Sequence, residues 1–184
     1  MDDVKNKYLP HYTYEDYKNW EGRWELINGI PYAMSPAPRI EHQEVSGRIH
    51  FQLLTSLENC RDCKPLLPID WKIPGDDDDN VLQPDNLVIC KDIKGTFITD
   101  APVMIFEILS PSTALKDRYI KYNIYESNGV KYYIIVDIDS KTADVFELEN
   151  SSYKKIIEAK NDFVKFELEK DCSIDFNFEK IWYR

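Results

Sequence analysis

The sequence predicts an α/β fold: a mixed central β-sheet flanked by helices, with an antiparallel extension toward the C-terminus. Three observations predict it. Residues 103–109 and 131–139 are apolar runs, and 114–127 between them has helical periodicity. Residues 103–138 therefore read as a strand–helix–strand unit with parallel strands. Residues 86–90 supply a second inner strand beside 103–109. After the unit, 144–148, 153–158 and 164–169 are alternating or mixed strand patterns that read as the antiparallel extension.

The chain of 184 residues and 21.7 kDa is long enough to bury a full core and is expected to form a single domain over 1–184. Aromatic residues at 13% and hydrophobic residues at 43% exclude an intrinsically disordered chain. No apolar run approaches the roughly 18–20 residues of a membrane span. Residues 1–7 hold no apolar signal region, so a cytoplasmic protein is expected, with Cys60, Cys63, Cys90 and Cys172 as reduced thiols. Thirty-three acidic against twenty-three basic residues give a net charge of −10. Phosphate contacts need a basic face, so this balance opposes nucleic-acid binding unless charge is unevenly spread or a cation neutralises some of the acids.

In chain order, Thr13 is the N-cap of a short helix that ends before Gly22, with Asp16 where a capping box has Glu or Gln. Residues 23–28 and 30–34 flank Asn28-Gly29, the strongest short hairpin signal. Glu25 lies in the first arm and faces away from Trp24 and Leu26. The segment 35–38, Ser-Pro-Ala-Pro, breaks the chain away from the hairpin. Residues 40–57 carry the longest helical pattern, with Val45, Ile49, Leu53 and Leu57 at four-residue steps. Cys60-Arg61-Asp62-Cys63 closes it. Residues 65–74 read as one strand holding Leu67, Ile69 and Trp71, and 75–79 as a polar loop. Ser112 or Thr113 is available as N-cap of helix 114–127, which Asn128-Gly129 ends. Residues 175–182 read as a short terminal helix.

The chemistry concentrates in 82–125. Asp85 opens the run 86–90, and Glu107 sits within 103–109 between Phe106 and Ile108. An ionised carboxylate in apolar surroundings is costly unless paired, hydrogen-bonded or bound to a metal. Two of them on adjacent strands suggest a divalent cation held by oxygen ligands, with waters and a phosphate oxygen completing the octahedron. Thr113, Asp117, Lys121 and Tyr125 recur every four residues and form one polar stripe on helix 114–127, beside an apolar stripe of Ile120 and Ile124. Lys121 can then reach back toward strand 103–109. Two acids and a lysine suit metal-assisted phosphodiester hydrolysis. The duller readings are a solvated turn for Asp85, a buried Glu107 paired with a base, and a solvent-facing Asp117–Lys121 pair.

Gln83-Pro84-Asp85 followed by Glu107-Ile108-Leu109 resembles the PD-(D/E)XK nuclease superfamily, in which lysine normally stands where this chain has Leu109. The longer pattern of Pro84-Asp85, Phe106 through Thr113, Asp117, Lys121 and Tyr125 is similar to the Uma-two family of restriction-endonuclease-like proteins, in which the lysine has moved to the following helix. Trp24-Glu25-Leu26-Ile27-Asn28-Gly29, Met34-Ser35-Pro36 and His42 match as well, so the resemblance spans about 12–183. It implies a restriction-endonuclease-like core, Asp85 and Glu107 as metal ligands, Lys121 as the displaced catalytic lysine and Glu25 as a supporting acid. His42, Asp117 and Tyr125 join Glu25 as supporting residues. Mg²⁺ is the implied cofactor, with Mn²⁺ as a substitute, and the implied partner is nucleic acid, DNA ahead of RNA. Superfamily nucleases are often dimers, so a homodimer is expected, through helix 40–57 or the late strands.

Other motifs carry less. Cys60 and Cys63 have zinc-ligand spacing, but Cys90 and Cys172 are isolated in sequence and no second close pair completes four ligands. The acidic run 76–79 lacks calcium-loop spacing, and Ser110 lacks a nucleophile elbow. Two competing functions stand beside the endonuclease: a catalytically inactive nuclease-fold module for binding or oligomerisation, and a hydrolase acting on a smaller phosphoester in a narrow closed pocket. An enzyme acting on nucleic acid needs a basic rim around the acids, for which Lys116, Arg118, Lys121, Arg39 and Arg48 are the candidates.

Overall fold

Glu107 lies on the central strand pair of a six-stranded mixed sheet. The computed structural model describes residues 10–34, 39–75, 78–111, 114–169 and 171–182. Strand β7 (Met104–Ile108) pairs antiparallel with β6 (Asn86–Ile89) on one side and parallel with β8 (Tyr132–Asp137) on the other. The strand–helix–strand unit is therefore as expected. Strands β9 (Thr142–Glu149) and β10 (Ser152–Ala159) continue the sheet antiparallel beyond β8, and β3 (Lys64–Leu66) closes it beyond β6.

Period-two alternation divides β7 between two cores. Met104, Phe106 and Ile108 face the side covered by helix α2 (Ile40–Ser56), where Val45, Ile49, Leu53 and Leu57 are buried as their spacing predicts. Each such side chain contributes on the order of 1.5–3 kcal/mol by leaving water. Ile105 and Leu109 face the opposite core, shared with Tyr125 and Trp71. Glu107 has the parity of that second face.

The second face is roofed by a four-stranded sheet of order β2-β1-β5-β4. Strands β1 (Trp24–Ile27) and β2 (Ile30–Ala33) form the hairpin that Asn28-Gly29 predicts, and both turn residues have positive φ, 50° and 71°. A Cβ on Gly29 would lie 2.2 Å from the His11 ring, so the position takes glycine for space as well as for torsion. The predicted helix at 13–20 is shorter, α1 (Tyr14–Tyr17), and the Asp16 carboxylate accepts from the Thr13 backbone N–H at 2.9 Å and from its hydroxyl at 3.0 Å.

Several expectations fail for identifiable reasons. The single strand expected over 65–74 is two: β3 in the six-stranded sheet and β4 (Trp71–Lys72) in the four-stranded one. Pro68, with no N–H for a ladder, lies between them. Strand β5 (Val81–Leu82) was not anticipated, and two residues carry no period. Strand β11 (Phe163–Glu167) does not extend the main sheet but pairs with β12 (Ser173–Asn177) in a separate two-stranded sheet. The helix expected over 175–182 begins instead as β12, whose Ile174 and Phe176 alternate into the α2-side core. Only Phe178–Ile181 is helical, a 3-10 turn capped by the Asn177 side chain accepting from the Glu179 N–H.

The cysteines are also corrected. Cys60 is bonded to Cys172 and Cys63 to Cys90, where reduced thiols were expected. Cys90 and Cys172 are isolated only in sequence, since the end of β6 and the β11–β12 hairpin both fold against the end of α2. The expected breaker at 35–38 and the caps at Ser112 and Thr113 lie outside the described residues, as do Asp76 and Asp77. Among the described residues, no helix is long and apolar enough to cross a membrane.

Candidate active site

The helix between β7 and β8 is not uniformly α-helical. Lys116–Lys121 is wound as a π-helix and passes directly into α3 (Tyr122–Ser127). A π turn brings residues i and i+5 into line, and such turns gather at functional sites. Here it aligns Lys116 with Lys121. Both ammonium groups reach Glu25 on β1: Lys121 Nζ is 2.7 Å from Oε1, and Lys116 Nζ contacts Oε2. The backbone N–H of Gln83 also donates to Glu25 Oε1, at 3.0 Å.

Lys121 is 2% exposed and lies among three acids. Besides Glu25, its Nζ is 2.8 Å from Glu107 Oε1 and 3.6 Å from Asp117 Oδ1. The Tyr125 hydroxyl donates to the same Glu107 oxygen at 2.6 Å. The solvent-facing Asp117–Lys121 pair is thus excluded, because both residues are buried. Glu25, for which a surface position was an open alternative, is fully buried.

Asp85 is brought to the same place by register. Asn86 is opposite Phe106 and Leu87 opposite Ile105, so continuing the ladder by one residue sets Asp85 against Glu107. Its Oδ2 accepts from the Ile108 backbone N–H at 2.8 Å and lies 3.2 Å from His42 Nε2, at the start of α2. Asp85 is therefore no free turn residue. Asn86, the next residue, faces the other way and accepts from the Ser46 hydroxyl at 3.0 Å, which holds the first turns of α2 against β6.

Charge explains the electrostatics. Burial pushes the Glu25 carboxyl up, but the Lys121 and Lys116 ammoniums outweigh it and hold the group below its usual range. Burial pushes Glu107 well above the usual carboxylate range; Lys121 opposes this, while Asp117, Asp85 and Glu25 add to it. For Lys121, burial works against the charge, yet Glu107, Glu25 and Asp117 overcome it and raise the ammonium pKa well above normal. Burial and the nearby Glu107 charge raise the Tyr125 phenol. Burial lowers the His42 imidazole, but the hydrogen bond and charge of Asp85 reverse the sign and leave it raised. Glu25, Asp85, Glu107 and Asp117 thus converge around two ammonium groups, and the proton that its acidic neighbours and burial lead Glu107 to favour is one that a divalent cation would displace.

The donor set suits such a cation. Both partners of Glu107 act on Oε1 and both partners of Asp85 act on Oδ2. The other oxygen of each carboxylate accepts no hydrogen bond from a described residue. Two facing hard oxygen donors match Mg²⁺ or Mn²⁺ and not a soft metal.

All of the singled-out residues lie in this neighbourhood: Glu25, Glu107, Asp117, Lys121 and Tyr125 form one contact network, and Asp85 with His42 adjoins it through Ile108. Lys116 was considered only for a surface rim and is instead part of the network. Its signal was the five-residue offset from Lys121, which a four-residue stripe passes over. The rim itself is largely neutralised. Arg118 pairs with Asp144 and Asp137, and Arg48 with Glu44, while Arg39 stands exposed before α2.

The Uma2 family, described as "Putative restriction endonuclease", matches residues 12–171. An uncharacterized protein of Synechocystis sp. is 31% identical over 145 residues, covering 75% of each chain. The crystal structure of "a putative nuclease belonging to DUF820" from Anabaena variabilis superposes with a TM-score of 0.74 at 15% identity, over 92% of this chain and 97% of that one. The last likeness establishes the mixed α/β fold. On the extent of the family match, and in agreement with the Synechocystis relative, the chain belongs to the Uma2 family.

Proposed function

We propose that the protein is a Mg²⁺-dependent endonuclease that hydrolyses phosphodiester bonds of nucleic acid, DNA ahead of RNA. One observation carries the reading: Asp85 and Glu107 stand opposite each other across β6 and β7, each with one oxygen that no described residue hydrogen-bonds, and the Lys121 ammonium arrives on Glu107 from the following helix. Asp85 and Glu107 would hold the cation, which supplies Lewis-acid polarisation of the scissile phosphoryl group. Lys121 is held charged by its carboxylate neighbours, so it acts as a fixed cation facing the developing negative charge and not as a proton acceptor. Glu25 fixes Lys121 and Lys116 in place. Tyr125 orients Glu107, and His42 orients Asp85. Water attacks phosphorus, the P–O bond to the leaving nucleotide breaks, and the products are a phosphate monoester end and a hydroxyl end.

A homodimer belongs to this reading. Phe51 and Leu54 on α2 and Phe163 on β11 are exposed apolar side chains that supply a face for it.

The test is cleavage of plasmid and of labelled DNA and RNA oligonucleotides by the purified chain in Mg²⁺, Mn²⁺ or EDTA. Metal-dependent cutting that is lost in Glu107→Gln and in Lys121→Met supports the assignment. Intact substrates with wild type in either metal overturn it. A second reading is favoured by the neutralised rim: a nuclease-fold module without catalysis. It predicts no cutting and no tight Mg²⁺ binding.

A further inference from the structure

We propose that the four cysteines form a structural tetrathiolate zinc site when the protein is reduced. They come from three separated parts of the chain. Cys60 and Cys63 follow α2, Cys90 follows β6, and Cys172 lies in the turn between β11 and β12. The sulfurs of Cys60, Cys63 and Cys172 lie within 4.8 Å of one another. Cys90 sulfur joins them through its bond to Cys63. A tetrahedral zinc with Zn–S bonds of about 2.3 Å spaces its sulfurs about 3.8 Å apart, so three of the sulfurs are already near ligand spacing and Cys90 would have to turn in from its place beside Cys63 as the fourth.

Three details suit the reduced cluster to a metal. The pair Cys60-x-x-Cys63 has the short spacing of zinc-binding knuckles, and all four cysteines of the chain are used. The Cys63 backbone N–H points to Cys60 sulfur at 3.3 Å, a donor that stabilises a thiolate. Lys64 pairs with Ile89, so Cys63 and Cys90 are the next opposed residues of the β3–β6 ladder. Cys63, Cys90 and Cys172 are buried, which makes this a closed site of the structural kind.

The site is separate from the carboxylates. It lies at the far ends of α2 and β6 from His42 and Asp85, and it fastens the β11–β12 sheet to both. Its formation balances as follows. Each disulfide takes two electrons and two protons from a thiol reductant, which is itself oxidised to a disulfide. The four resulting thiols release four protons and bind one Zn²⁺, for a net charge of −2 on the cluster.

The experiment uses full-length protein purified with a thiol reductant and zinc salts, without chelator. About one zinc per chain is expected by elemental analysis. Replacement with Co²⁺ should give thiolate-to-cobalt charge-transfer absorption together with tetrahedral ligand-field bands. Titration of wild type with a mercurial should release that zinc as the four thiols react, a readout that does not depend on a variant folding. The double variant Cys60→Ser/Cys172→Ser should lose the zinc, and Glu107→Gln should keep it. Reduced protein that carries no zinc, zinc retained by the cysteine variant, or zinc unreleased after thiol titration overturns the proposal.

Discussion

Lys116 and Lys121, five residues apart on the π-wound segment, place their ammonium groups on the two oxygens of a single carboxylate, Glu25. Removing that carboxylate leaves two cations facing each other in a buried site. Glu25→Gln should therefore destabilise the protein by about 3–5 kcal/mol, the usual cost of breaking a buried pair. Denaturant unfolding measures it. A loss under about 1 kcal/mol would mean that solvent reaches the pair and surface energetics apply.

Glu107 behaves in the opposite sense. Burial and three neighbouring acids raise its pKa, so its charge is a burden to the metal-free fold. Glu107→Gln keeps an oxygen for Tyr125 and removes the charge. Melting in EDTA should be no lower than wild type, while Mg²⁺ binding by calorimetry disappears and cleavage falls by about 100-fold or more. A variant that melts much lower in EDTA would show that Glu107 serves chiefly to pair Lys121.

Lys121→Met strips the only ammonium among the described residues that contacts Glu25, Glu107 and Asp117 together. Without metal, a loss of about 3–5 kcal/mol is expected. Millimolar Mg²⁺ should restore much of the melting temperature, since a cation bound to the native acids adds stability by mass action. Equal melting with and without Mg²⁺ would separate the cation from these acids.

His50 on α2 gives a pH test away from the carboxylates. Burial holds its imidazole below 6.5, and its Nδ1 is buried with no hydrogen-bond partner among the described residues. Protonation is harder in the folded state than in the unfolded one. Its contribution is complete above pH 6.5 and is lost as pH falls through the lower folded value. His50→Gln should flatten the drop in melting temperature between about pH 7.5 and 5.5 relative to wild type. An unchanged slope would assign that drop to other groups.

The legible parts of the sequence were those with a long period or a single competing force. Val45, Ile49 and Leu53 named the face of α2, and the apolar neighbours of Glu107 marked it as an acid with a reason to be buried. Asn28-Gly29 named its hairpin because few other residues tolerate positive φ. The parts missed were set by partners far away in the chain. Strand β5 exists because β1 and β4 lie on either side of it. Strand β12 replaced a helix because Ile174 and Phe176 found a core and Phe163–Glu167 found an edge. Lys116 was missed because the helix widens there to a five-residue step, which α-helical periodicity does not contain. The fold class and acid pair rested on patterns within one segment, whereas the cysteine cluster needed the tertiary structure.

The alignment of Asp85 with Glu107 is fixed by ladder hydrogen bonds between β6 and β7, not by the residues that join them. Ile98 in the connection is buried and bridged to Trp71 of β4, so the tether free to change length is the largely exposed stretch 91–97. Insertions or deletions within it leave the two acids opposed, while a slip of one rung in the strands turns Glu107 toward α2 and dismantles the constellation. Variation among relatives should accordingly be tolerated in that tether and forbidden in the few residues on either side of it.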